Sequence, residues 1–192
     1  TFRLQHKIKN IVLVDADGTI RLNLHGLAED AEQLAPELAT AFRKRIPVLT
    51  ELHTDKEDPE PHISVVTPLF FDEEQSRPAG AVILVTDPSR FLYPLIQSWP
   101  VKSGSAETLL VRRDGDDVLF LNNVRHQSDT ALRLRIPVSQ SDLPAAMAIE
   151  GKQGVATGND YRGVKVVSVL LPVPESPWFM VAKIDAEEIF AP

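Results

Sequence analysis

Ile11-Val12-Leu13-Val14-Asp15-Ala16-Asp17-Gly18-Thr19-Ile20-Arg21-Leu22 decides the fold, because it is written again at Leu109-Leu110-Val111-Arg112-Arg113-Asp114-Gly115-Asp116-Asp117-Val118-Leu119-Phe120. Each copy is a short apolar strand, an Asp-Gly turn and an alternating strand. Glycine takes positive φ without steric cost, so Asp-Gly between two such strands predicts a tight hairpin. The echo continues downstream. Val65-Val66-Thr67-Pro68 matches Val169-Leu170-Leu171-Pro172 at an offset of 104, and Asp87-Pro88-Ser89-Arg90-Phe91-Leu92 matches Asp185-Ala186-Glu187-Glu188-Ile189-Phe190 at an offset of 98. A chain written twice predicts two similar lobes.

Working outward, strands are expected at 10–14, 19–24, 48–53, 63–71 and 81–85 in the first half, with Glu51 and His53 on one side of the third. Between them, Leu27, Ala31, Leu34, Leu38, Ala41 and Phe42 recur at helical spacing. Pro36 is expected to split that stretch into two short helices. In the second half strands are expected at 108–112, 118–121, 154–157, 164–171 and 178–184, with a short helix capped by Asp142. Hairpin-connected strands with a few helices define an α+β class, a mostly antiparallel five-stranded sheet with flanking helices in each lobe. The expected division is a first lobe at 1–87, a linking helix and linker at 88–104 and a second lobe at 105–192. Trp99-Pro100 ends the linking helix. Trp178, between Pro177 and Phe179, is expected in the core.

Composition narrows the function. The chain has 192 residues, 43% of them hydrophobic, and 20 basic against 27 acidic side chains give a net charge of −7. Neither half is basic (10 against 15 acidic in 1–96, 10 against 12 in 97–192), which argues against a nucleic-acid partner. Without cysteine there is no disulfide, thiolate nucleophile or Cys-ligated zinc. No apolar run approaches the ~18 residues a membrane helix needs, and no signal peptide is visible. The abrupt start at Thr1 reads as an excised domain whose flanking membrane helices are absent.

The first hairpin also carries a catalytic pattern. Val12-Leu13-Val14-Asp15-Ala16-Asp17-Gly18-Thr19 resembles the first motif of the haloacid-dehalogenase family, in which the first Asp is the nucleophile, the second the acid/base, and magnesium lies between them. Ile83-Leu84-Val85-Thr86 resembles the second motif, with Lys102 and Asp116-Asp117 for its lysine and acidic pair. The alternative function is therefore a Mg-dependent phosphatase using Asp15 and Asp17. Against it, Ile20, Leu22 and Leu24 alternate with a strand period where that family needs an open loop, and Asp116-Asp117 falls in the second copy's own turn. A hairpin that occurs twice needs only a turn to explain it.

The whole chain resembles the extracytoplasmic double Cache (tandem PAS-like) sensor domains of bacterial sensor histidine kinases. The likeness is carried by Trp99-Pro100, Ser105-Ala106-Glu107-Thr108, Asn159-Asp160-Tyr161-Arg162-Gly163, Pro172-Val173-Pro174-Glu175-Ser176-Pro177-Trp178 and Gly80-Ala81-Val82-Ile83-Leu84-Val85-Thr86-Asp87. It implies a membrane-distal lobe followed by a membrane-proximal one. It also implies a periplasmic setting on an inner-membrane protein, a small-molecule ligand and pairing into a homodimer. The domain itself is expected to be non-catalytic, with no cofactor and no metal, while the rest of the protein is expected to be a histidine kinase, with a diguanylate cyclase or chemotaxis output as the alternative. The long helix that opens such domains is not visible before residue 10, and neither is the aromatic-and-arginine signature of the amino-acid-binding branch.

In such a lobe a ligand lies between the sheet and the segments covering it. Arg or His would hold an anion, and Asp or Glu an amine. The candidates are Arg45, Glu51, His53, His62 and Asp87 in the first lobe, and Arg125, His126, Tyr161 and Arg162 in the second. Each has a plain structural alternative. Asp87 before Pro88 makes a natural helix cap, and Tyr161-Arg162-Gly163 a natural turn.

Overall fold

The structure is a computed structural model describing residues 8–25, 34–54, 59–72, 74, 77–100, 102–174 and 176–190. It divides into two compact units, Thr1–Leu92 and Tyr93–Pro192.

In the N-terminal unit, β1 (Ile8–Asp15) and β2 (Ile20–Asn23) form the first hairpin. β3 (Val48–Leu49), β4 (Ile63–Phe70) and β5 (Pro78–Thr86) complete a five-stranded antiparallel sheet of order β2-β1-β5-β4-β3. Val12, Val14, Val66, Ala81 and Ile83 line one face and bury against α1 (Ala35–Lys44) through Leu38 and Ala41. Pro36 falls in the first turn of α1, where its missing N–H costs nothing. Leu27 and Ala31 lie outside the described residues. The strand stops at Leu49, before Glu51; Thr50 still donates its N–H to the Ser64 carbonyl (2.8 Å), and the next bridge is His53↔His62.

In the C-terminal unit, β6 (Glu107–Asp114) and β7 (Asp117–Phe120) form the second hairpin, followed by β8 (Arg135–Pro137), α3 (Pro144–Ile149), β9 (Gly154–Asn159), β10 (Lys165–Pro172), β11 (Trp178–Asp185) and α4 (Ala186–Phe190). The helix α2 is Leu92–Gln97, and a 3-10 turn, Pro88–Arg90, precedes it. The sheet order is β8-β7-β6-β11-β10-β9. Its five central and far strands repeat the N-terminal order strand for strand. The sixth, β8, lies in the polar connection where no strand is expected, because three residues are too short to show a period. Leu109, Val111, Phe120, Leu170 and Val181 face α3 to form the core. Asp142 does not cap α3. The cap position is Leu143, and Asp142 instead accepts the Asn159 N–H (2.9 Å) and side chain (2.8 Å), tying β9 to the approach of the helix. Gly158 makes that possible, since a Cβ there would sit 2.0 Å from the Asp142 carbonyl. Trp178 is buried as expected.

The first hairpin shows what its acidic pair does. Asp15 Oδ1 accepts the N–H groups of Asp17 and Thr19 (3.0 Å each), and Oδ2 accepts Arg21 Nε (2.8 Å). Gly18 closes the turn at φ 84°. Desolvation pushes the Asp15 carboxyl up, but the Thr19 N–H, the Arg21 guanidinium and the Asp17 N–H outweigh it and hold it below the usual range. Asp15 is spent on the turn, and the strands flanking it are antiparallel rather than parallel.

Candidate functional site

Register brings charge into the C-terminal unit. Glu107 shares the covered side of β6 with Leu109 and Val111, and Lys183 shares that of β11 with Val181. Pairing sets Lys183 opposite Glu107 on one side and Ser168 of β10 on the other. Lys183 is 1% exposed, and its Nζ lies 2.9 Å from Glu107 Oε2 and 2.8 Å from Asp160 Oδ2. Two carboxylates around one ammonium supply the pairing that a buried charge requires. Ser168 is equally buried, and its hydroxyl has no hydrogen-bond partner among the described residues.

The turn between β9 and β10 supplies the rest. Asp160 accepts the N–H groups of Arg162 (2.8 Å) and Val164 (3.3 Å), while its carbonyl accepts that of Gly163 (2.8 Å) at φ 76°. An aspartate that bonds forward to its own backbone is a turn former. This one also grips Lys183 and Arg162, whose Nε is 2.8 Å from Asp160 Oδ2. Arg162 further binds Asp185, the last residue of β11 before α4. Tyr161 donates to Glu107 (3.1 Å), accepts the His126 N–H (3.3 Å), and lies edge-on to Phe120 and within 5.0 Å of Lys183. Burial opposes the Asp160 carboxylate, but Arg162 and Lys183 outweigh it and hold its pKa below the usual range. Burial and the neighbouring Glu107 push the Tyr161 phenol up.

Beside this network lies a cleft of about 400 Å³ whose lining includes Gln97, Ala106, Glu107, Thr108, Val124 and Arg125. Arg125 reaches back from the loop after β7. Its N–H donates to Glu107, and its guanidinium donates to the carbonyls of Ala106 (2.7 Å) and Ser103 (3.1 Å). That segment in turn holds α4. The Gly104 (3.3 Å) and Ser105 (3.0 Å) N–H groups and the hydroxyls of Ser103 (2.6 Å) and Ser105 all donate to the Glu188 carboxylate, which they keep acidic.

Of the residues singled out in the sequence, Arg125, Tyr161 and Arg162 converge here, while His126 contributes its backbone and is otherwise exposed. The others stay apart. Arg45 ends α1 in the left-handed region at φ 59°. Asp87 accepts the Ser89 N–H (2.9 Å) and Arg90 Nε (3.2 Å), capping the 3-10 turn. Glu51 is exposed and offers its carbonyl to His53 Nδ1 at 2.8 Å. His53 and His62 meet edge to face at 4.2 Å, with His62 buried. A second cleft of about 330 Å³, at Asp17, Gly18, Leu38 and Phe42, includes none of them. Sequence reading missed Glu107, Asp160, Lys183 and Asp185. The available signal was parity, because Glu107 and Lys183 are charges on the inward side of otherwise apolar strands.

No family model matches the chain, and no curated protein matches it in sequence. Solved structures do. The ligand-binding domain of Mlp24 with asparagine superposes with a TM-score of 0.63 at 21% identity, covering 95% of this chain and 70% of that one. The ligand-binding domain of the Pseudomonas aeruginosa PAO1 amino acid chemoreceptor PctB in complex with L-Arg gives 0.65 at 17%, covering 98% and 76%. The fold is the double Cache fold. The extracellular domain of the putative histidine kinase mmHK1S-Z2 shares it, with a TM-score of 0.59 at 16% identity over 99% of this chain and 80% of that one. In this chain the C-terminal Cache lobe carries the charged network and the cleft, and the N-terminal lobe carries the two histidines.

Proposed function

We propose that the chain is the extracytoplasmic sensing domain of a membrane-bound sensor histidine kinase. It would bind a small molecule and pass that event to two-component signalling across the membrane. The observation that supports the reading is the tandem fold, matched over nearly the whole chain by ligand-binding domains of chemoreceptors and by an extracellular domain of a putative histidine kinase. Catalysis is not asked of this domain, and neither is a cofactor. Among the described residues no helix is long and apolar enough to cross a membrane, so anchoring would fall to flanking segments of a periplasm-facing inner-membrane protein acting as a homodimer.

The physical requirement for such a sensor is that the ligand bind one conformation better than another. The C-terminal unit has a path for it, since the cleft residue Arg125 holds the segment that holds α4. Amino acids, which the neighbours' names record as their ligands, are one class to screen. The test is thermal unfolding of the chain against a broad metabolite set. A ligand at 100 times its Kd stabilises the native state by ~2.7 kcal/mol, a shift a melting curve resolves. A screen in which no compound of any class stabilises the chain overturns the reading.

A further inference from the structure

We infer that the cleft at Arg125 takes the carboxylate of a small organic acid, and that its occupancy is read by α4 through the Ser103–Ala106 segment. The inference rests on the sensor reading above and narrows it to a site, a ligand class and a readout.

The ligand class follows from which groups in the cleft are already satisfied. Glu107 could attract an amine, but its carboxylate already takes the Arg125 N–H, the Lys183 ammonium and the Tyr161 hydroxyl. Lys183 also neutralises it. Arg125 is the opposite case. Its guanidinium has five N–H donors, of which two are given to the neutral carbonyls of Ala106 and Ser103, and among the described residues it joins no ion pair. It is exposed at the cleft, whose lining also includes Gln97, while Ala106 and Val124 offer a short apolar wall. A guanidinium fork binds a carboxylate through two parallel charge-assisted hydrogen bonds, roughly twice as strong as bonds to neutral acceptors. A volume of about 400 Å³ has room for such an acid.

The readout follows from what Arg125 would release. A carboxylate that takes the fork end-on engages Nη1 and Nη2, the same two nitrogens that hold the Ala106 and Ser103 carbonyls, and so competes with them. Those residues belong to the loop whose Ser103, Gly104 and Ser105 donors clasp Glu188 of α4. Ser105 Oγ also accepts the Asp185 N–H (3.0 Å), where β11 passes into α4. Turning Arg125 toward a ligand therefore loosens the clasp. By reciprocity, loosening the clasp first must tighten ligand binding.

The experiment is calorimetric titration of the whole chain with acetate, pyruvate and succinate, with acetamide as the uncharged control, alongside amide hydrogen exchange of Ala186–Phe190. At least one acid should bind while acetamide does not, and exchange in α4 should rise on binding. Arg125→Gln should weaken binding at least tenfold, and Glu188→Gln should tighten it several-fold. Should Arg125→Gln fail to fold, Arg125→Lys and Gln97→Ala take its place, each expected to weaken binding several-fold. Unchanged affinity in the Arg125 and Gln97 variants, or no change in α4 exchange on binding, overturns the inference. If none of the acids binds while another compound class stabilises the chain, this site is wrong and the sensor reading stands. If nothing of any class binds, both fall.

Discussion

The two units share a sheet and differ in one row of it. Offsets of 97, 98 and 104 place Asn10, Val85 and Ser64 of the N-terminal sheet where Glu107, Lys183 and Ser168 stand in the C-terminal one. The first row is neutral. Asn10 Nδ2 donates to Asn23 (3.0 Å), and the Ser64 N–H donates to Thr50 Oγ1 at 2.8 Å. The second row is ionic and is completed by Asp160 and Arg162 from the following turn. The aspartates at the ends of the two last strands diverge in the same way, with Asp87 capping its own 3-10 turn while Asp185 is held by Arg162 at the root of α4. One scaffold thus tolerates either row. The ionic one ties two strands, the turn after β9 and the root of α4 into a single network, and that network borders the cleft.

The sharpest way to break the comparison is to leave the ionic row half made. Lys183→Met leaves Glu107 buried without a cation and Asp160 with Arg162 alone, and should cost ~3–5 kcal/mol. The triple change Glu107→Asn, Asp160→Asn and Lys183→Val, which imposes the neutral row, should recover most of that loss in denaturant unfolding. If the single and triple variants are equally unstable, the row is not interchangeable.

Smaller effects follow where backbones approach closely. Gly80→Ala sets a Cβ 2.2 Å from the Val14 carbonyl, and Gly158→Ala sets one 2.0 Å from that of Asp142. Each should cost about 1–3 kcal/mol, as overpacking does. Both tryptophans, Trp99 and Trp178, lie in the C-terminal unit, so loss in Gly158→Ala should appear in intrinsic fluorescence and loss in Gly80→Ala only in circular dichroism.

Acid should also separate the rows. The folded pKa of Asp160 is depressed, so its contribution is fully present above the ordinary value of 3.8 and is lost as pH falls through the folded value. Tryptophan fluorescence should therefore report destabilisation of the C-terminal unit below about pH 4, and Asp160→Asn should flatten that dependence. An unchanged pH profile in the variant would remove Asp160 from the account. The smallest change is Thr50→Val, which deletes the Oγ1 acceptor of the Ser64 N–H and should cost ~1 kcal/mol in the N-terminal unit.

Much of the fold was legible because it is local or repeated. The hairpins at Asp17-Gly18 and Asp114-Gly115 are written in adjacent residues, and the alternation along β1, β6 and β10 assigns their faces. What escaped was short or remote. β8 is three residues long, and α3 begins on a proline rather than on Asp142. The network escaped because Glu107, Asp160 and Lys183 are far apart in the chain and meet only through strand register. Arg125, Tyr161 and Arg162 were recognised by residue type, while their shared partner Glu107 passed for part of a strand.

The sequence by itself determined two lobes, their antiparallel strands and the turns that open them, because hydrophobic period and Asp-Gly chemistry act over neighbouring residues. Only the tertiary structure decided that Lys183 faces Glu107, that Asp15 serves a turn and that Arg125 holds the clasp on α4. Those outcomes depend on which strands become neighbours and in what register, which no local stretch of the chain encodes.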